Sequence, residues 1–305
     1  MLNIFLSVLP IFLLIVTGYV AKQRFLPEEG FWRTADKLVY YVFFPSLLLL
    51  DVSSANFSSA NTSTSIAATV GGTLIVAGLI FAGQRLVKVE NDLFTSIFQG
   101  GVRYNSYVFI ALAQSLFGSE GVAVSGVFVA YMIVLTNVMS VLVMNHYGNG
   151  ARKSFKGMIT AVAKNPLIMG ALVGLAFNTA GVQITGAIKQ FMSYLGDAAT
   201  PLSLMSVGGG LVLTMHSRRT LATAYSVGLK LLLMPLCTMA LLRALGASGT
   251  PANIALLYAS APCAGNAYIL SRQMGGDSEA MASIITWTTL LSAVTITVIV
   301  GVMVG

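Results

Sequence analysis

From Leu2 onward the chain is a succession of apolar runs, each about 20 residues long, parted by short polar links. A helix of that length crosses the roughly 30 Å hydrocarbon core of a bilayer. Hydrocarbon offers backbone amides no partner, so each run is read as a helix. Hydropathy and link signals place spans at 3–21, 36–52, 66–85, 93–116, 122–145, 159–179, 187–212, 220–243, 252–272 and 279–304. Only 9% of the 305 residues are charged, against about 25% in a soluble domain, too few to cover a water-facing surface. The expected fold class is an all-α polytopic membrane protein of ten transmembrane helices with no separate soluble domain. The longest link, 53–65, is uncharged and rich in Ser and Asn, and reads as a flexible turn. The first run has no basic segment before it and no small-residue cleavage pattern, so it is read as a span of the mature chain.

Charge is informative through its placement. The formal net charge of +7 does not form a basic stripe interleaved with aromatics, so nucleic acid is not an expected partner. Of the 17 Lys and Arg, 13 fall on the links after spans 1, 3, 5, 7 and 9, while only Lys189 and Arg243 fall on the other side. By the excess of cations on cytoplasmic loops, the odd-numbered links are cytoplasmic and both termini lie outside. Cys237 and Cys263 sit in apolar runs and imply neither a disulfide framework nor a metal site. Nucleotide-binding, zinc-protease and nucleophile-elbow motifs are absent. No enzyme activity, cofactor or metal is expected.

The chain repeats itself. Pro10 and Gly18 recur as Pro166 and Gly174, and Pro45 recurs as Pro201, all at an offset of 156. Asn105-Ser-Tyr107-Val parallels Asn266-Ala-Tyr268-Ile at an offset of 161. With five spans in each half, 1–150 and 151–305, the second copy enters the membrane from the opposite face, an inverted-topology repeat of the kind secondary transporters use.

Spans 4 and 9 are interrupted at corresponding depths, by Gly100, Gly101, Arg103 and Asn105 in one and by Pro262, Gly265 and Asn266 in the other. Backbone freed there must line a cavity or be buried in protein. Two half-helix N-termini meeting at mid-membrane would favour an anion such as a carboxylate. Asn105, Asn266, Arg103, Tyr107, Pro262, Gly265 and Tyr268 are the candidate substrate residues. Two further charges are deep, Asp197 and Lys230, and they are candidates for an ion pair or for coupling, Asp197 as a proton carrier. Two cations against one carboxylate leave a surplus that favours anionic cargo. Thr136, Asn137, Thr286, Thr288 and Thr289 are weaker candidates, since such residues more often bond a neighbouring helix.

Pro10-Ile-Phe with Gly18-Tyr, Lys37-Leu-Val with Pro45-Ser-Leu, Asn165-Pro-Leu-Ile-Met-Gly170, Thr200-Pro-Leu-Ser, Leu229-Lys230-Leu-Leu-Leu-Met-Pro235-Leu and Ala261-Pro-Cys-Ala-Gly-Asn266-Ala-Tyr resemble the auxin efflux carrier family, along the whole chain. That family includes bacterial organic-acid and malonate permeases and the plant PIN-FORMED carriers. The resemblance implies two inverted five-helix repeats, a scaffold and a transport domain each built from both repeats, and crossing broken helices 4 and 9. It also implies that Asn105 and Asn266 help bind a substrate carboxylate. This chain carries Gly100, Gly101 and Arg103 where the family has a proline near the first asparagine.

The sequence therefore predicts a secondary transporter of a small organic anion, such as a carboxylate or an auxin-like acid, working by alternating access in a bacterial cytoplasmic (inner) membrane. Its partners are that anion and the lipid bilayer, with a homodimer implied by the family alone. A cation/proton antiporter would want acidic residues at the crossover, and a sodium-coupled acid symporter a Glu or Gln cluster beside span 9. A passive channel or membrane sensor is the rival of another class.

Overall fold

The computed structural model describes residues 2–54, 61–150, 154, 156–157, 160, 163–212 and 219–304. Among them every regular element is helical. The helices are α1 (Leu2–Arg24), α2 (Glu29–Leu38), α3 (Phe44–Ser53), α4 (Asn61–Val87), α5 (Asn91–Val102), α6 (Ser106–Tyr147), α7 (Pro166–Thr179), α8 (Gly186–Gly209), α9 (Thr220–Gly228), α10 (Met234–Ala244), α11 (Gly249–Ser260), α12 (Ala267–Met274) and α13 (Ser278–Val304). A π-helical turn, Val39–Phe43, joins α2 to α3, and another, Leu229–Leu233, joins α9 to α10. Each widened turn sits just before a proline, Pro45 or Pro235, whose ring and missing N–H perturb the preceding turn.

Four helical stretches are long and apolar enough to cross a membrane by length and composition, 62–87, 91–147, 220–244 and 278–301. The second, at 57 residues, is far longer than one crossing. It is divided by an extended segment at Arg103–Asn105 and again at Gly118, where φ of 60° and ψ of −149° turn the chain out of the helix. Only glycine holds that conformation without strain.

Boundaries differ from the sequence reading in three places. Span 2 begins not at Asp36 but at Glu29, because Arg33, Lys37 and two glutamates disguise an amphipathic helix that buries Trp32 and Ala35. Trp32 Nε1 donates to the Leu26 carbonyl at 2.8 Å and fixes the entry. Span 6 is helical at 160 and 163 but breaks at Asn165, whose extended backbone and Oδ1, capping the amides of Leu167 and Ile168, start α7 at Pro166. In the link read as a flexible turn, helix α4 already runs from Asn61, and residues 55–60 lie outside the described set.

Packing pairs α1 with α8, α3 with α7, and α4 with α10 and α11, while α11 also lies on α6. Small residues set the closest of these approaches. A Cβ on Gly18 would overlap the carbonyl of Met205, and one on Gly174 would lie 2.8 Å from the carbonyl of Leu49. Near one end of the bundle, Arg219 Nε pairs with Asp277 Oδ2 at 2.5 Å and its Nη1 with Glu279. Asp277 also caps α13, and its carbonyl accepts from Ser96 Oγ, so the starts of α5, α9 and α13 are tied together.

Candidate functional site

The interruption of the first half follows from residue chemistry. Gly100 and Gly101 end α5 where neighbours press close: a Cβ on Gly100 would strike Ser226 Oγ, and one on Gly101 would lie 2.6 Å from Ile80 Cδ1. Arg103 then turns extended, with φ of −88° and ψ of 148°, so no proline is needed to break the helix. The side-chain oxygen of Asn105 accepts from the amides of Tyr107 and Val108 and starts α6. In the second half, Ala261 turns extended before Pro262, and α12 resumes after Asn266. Thr288 Oγ1 accepts from the amide of Cys263 at 3.2 Å and pins that break to α13.

The two breaks meet. The Asn105 amide donates to the Pro262 carbonyl at 2.8 Å, and Arg103 Nη2 donates to Asn266 Oδ1 at 2.9 Å. One backbone donor and one backbone acceptor released by the breaks thus satisfy each other, and a side-chain bond joins the breaks a second time. Arg103 and Asn105 are buried, whereas Asn266 and Gly265 are exposed. A Cβ on Gly265 would meet nothing within 4 Å, so that turn faces open space.

Cationic nitrogens at this junction lack protein partners. Arg103 Nη1 and Lys230 Nζ are both buried and neither bonds a protein group among the described residues. Lys230, on the π-helical turn, sits with Nζ 3.1 Å from the centroid of the Tyr104 ring. Tyr104 is held in turn by its hydroxyl against Thr73 Oγ1 at 2.6 Å and by the Tyr258 ring, centroids 4.3 Å apart. A cation over an aromatic face gains some attraction, but a ring is a poor replacement for the acceptors an ammonium loses on leaving water.

Other candidates are placed differently. Asp197 and Lys230 do not pair: Asp197 is exposed and interacts with Asp51, a second carboxylate, while Lys230 lies fully buried against Tyr104. Tyr107 stacks on Phe44 of α3, centroids 4.9 Å apart, rather than joining the arginine. Tyr268 is partly exposed, with Arg272 over its ring at 5.9 Å. The α6 amides expected to face an anion are occupied by Asn105, so positive charge at the junction comes from side chains instead. Thr136 donates to the Met132 carbonyl and Thr286 accepts from the Val212 amide, both structural bonds. Sequence reasoning missed Gln99, fully buried with Nε2 on Ser271 Oγ at 3.0 Å and Oε1 without a protein partner. A polar glutamine immediately before the Gly100-Gly101 interruption of an apolar span was the available signal.

A bundle of apolar helices in which two broken helices meet around buried cations has the build of a membrane transport protein. Residues 149–300 match the model of the family described as "Membrane transport protein". The chain is 28% identical over 298 residues to "Putative malonate transporter" of Rhizobium meliloti, covering 95% of this chain and 92% of that one. It is 27% identical over 296 residues to "Uncharacterized transporter" of Methanothermobacter thermautotrophicus, 95% of each. It is 21% identical over 252 residues to "Uncharacterized transporter YfdV" of Escherichia coli K12, 78% of each. The second half of the chain thus fits this family model and the whole chain is similar to membrane transporters, in keeping with its resemblance to the auxin efflux carriers.

Proposed function

We propose that the protein is a secondary carrier of a small organic anion, working by alternating access in a bacterial cytoplasmic membrane with both termini outside. The observation that carries this reading is the pair of buried cationic nitrogens, on Arg103 and Lys230, that bond no carboxylate among the described residues. A charge deep in a membrane protein is tolerated when paired or when it serves transport. A carboxylate cargo reaching the crossover is the missing counter-charge, met by Arg103 and by the amide of Asn266, which lies at the exposed lip of the junction. The malonate named for the Rhizobium meliloti relative is an anion of this size.

Alternating access is supported by a reciprocal contact. Gly18 lies against Met205, Gly174 lies against Leu49, and both members of the first pair differ from the second by the same 156 positions. Two halves related by a pseudo-two-fold axis in the membrane plane produce such an exchange, and rocking one repeat element against the other is how such folds move cargo. On this reading the chain comprises ten spans in repeats 1–150 and 151–305, with the broken helices in the transport domain. Counterflow in proteoliposomes tests the function: labelled carboxylate must exchange against unlabelled carboxylate inside, and a chain that leaks without exchange is a channel.

A further inference from the structure

Arginine keeps its proton throughout the range in which proteins work, so the guanidinium of Arg103 is a standing positive charge at the junction. It is 6% exposed, with Nη2 on the neutral Asn266 side chain and Nη1 without a protein acceptor. It bonds no carboxylate among the described residues. The titratable groups that interact with it are the Cys263 thiol and the Tyr258 phenol, both ordinarily uncharged at neutral pH. Lys230, protonated or neutral, supplies no negative charge. Asp277 and Glu279, at the start of α13, are engaged by Arg219. The junction is open at Gly265 and Asn266 and shut at Tyr104, Asn105, Pro262 and Cys263, all buried. Water or an anion reaches the guanidinium past that lip.

From this, and resting on the carrier reading above, we infer that the protein is an obligate exchanger, carrying one anion inward only against another outward. Alternating access closes the junction to both faces between its two open states. With an anion on Nη1, the arginine closes as an ion pair. Empty, it closes as an unpaired charge, and an uncompensated buried charge slows the return by about a hundredfold or more. The bound anion is thus what permits the crossing, and after release on one face the carrier waits there until another anion binds. The same guanidinium is neutralised in each direction, so exchange of two equally charged anions moves no net charge. A carrier whose site is neutral when empty has no such barrier and returns freely.

The test times the release of radiolabelled malonate from proteoliposomes of the full chain, with the potential clamped by potassium and valinomycin and the pH equal on both sides. Release is followed into buffer holding unlabelled malonate and into buffer free of carboxylate, and acetate and succinate are run in the same way. Exchange is expected to outrun release into carboxylate-free buffer by about a hundredfold. Two variants assign the cause: Arg103→Gln removes the charge, and Asn266→Asp sets a carboxylate where the oxygen that accepts from Nη2 now lies. In both, at saturating internal anion, the ratio should shrink to within about threefold. A wild-type ratio below about tenfold, or variants that transport yet keep the wild-type ratio, overturn the inference and leave the carrier reading standing. If none of these anions exchanges in wild type, both fall. Should neither variant transport, the wild-type ratio decides by itself.

Discussion

Arg103 and Asn266 are joined by a hydrogen bond of 2.9 Å from Nη2 to Oδ1 across the two helix breaks, 163 residues apart in the chain. The bond makes the two asparagines of the repeat unequal. Asn105 turns its side-chain oxygen inward to start a helix, whereas Asn266, with no capping bond, receives the arginine at an exposed lip.

That inequality is testable with alanine. Asn105→Ala removes a cap and should cost about 1 kcal/mol of stability. Asn266→Ala frees the arginine's hydrogen bond at an exposed position, so its main effect should fall on anion affinity. Melting temperature and carboxylate titration on both variants separate the two effects; equal losses of stability would contradict the asymmetry.

Arg103→Gln should weaken carboxylate binding by about one to two orders of magnitude, because a charged hydrogen-bond donor is worth about 1.5–3 kcal/mol. Arg103→Lys should lose less, yet still fall short of wild type, since one ammonium cannot reach Asn266 and an anion with the arginine's fork geometry. Affinity unchanged in Arg103→Gln would remove the guanidinium from the site.

Gly18→Ala should destabilise the protein, because its Cβ would overlap the Met205 carbonyl and backbone cannot yield as a flexible side chain does. Gly174→Ala should do the same to a lesser degree, with Leu49 O 2.8 Å from the new carbon. Gly265→Ala, with nothing within 4 Å, should melt near wild type. A thermal-denaturation series ranks the three, and the order Gly18, Gly174, Gly265 from most to least damaging is the expectation.

Asp197 is an exposed carboxylate on α8. If it couples transport to protons, Asp197→Asn should keep substrate exchange and lose accumulation driven by a pH gradient. A variant that folds yet fails in both assays would assign Asp197 to some step other than proton movement.

For orientation, cysteines placed at Glu90 and Val182, both exposed, should react with a membrane-impermeant maleimide from opposite faces, Val182 from outside. Labelling of both from one face would contradict the charge-based topology.

Local chemistry made much of this protein legible in its sequence. The apolar runs announce membrane helices because hydrocarbon accepts no unpaired backbone, and the interruptions at Gly100, Gly101 and Pro262 are written in residues that cannot continue a helix comfortably. Gly18 and Gly174 are visible as a repeat before any contact is known. What a charged side chain meets is not local. Asp197 and Lys230 looked like a pair because both lie deep in apolar runs, but hydropathy carries no azimuth, and α8 leaves its carboxylate exposed while the widened turn after α9 delivers the lysine to Tyr104. Amphipathic α2 was hidden for a related reason: its charges read as a link until the burial of Trp32 and Ala35 showed a helix lying with one face inward. The sequence determined where helices run and where two of them break, through the length and continuity of apolar runs. Only the tertiary structure decided which broken ends meet and which cations are left without a partner, because those depend on the rotation of each helix about its axis and on neighbours more than a hundred residues away.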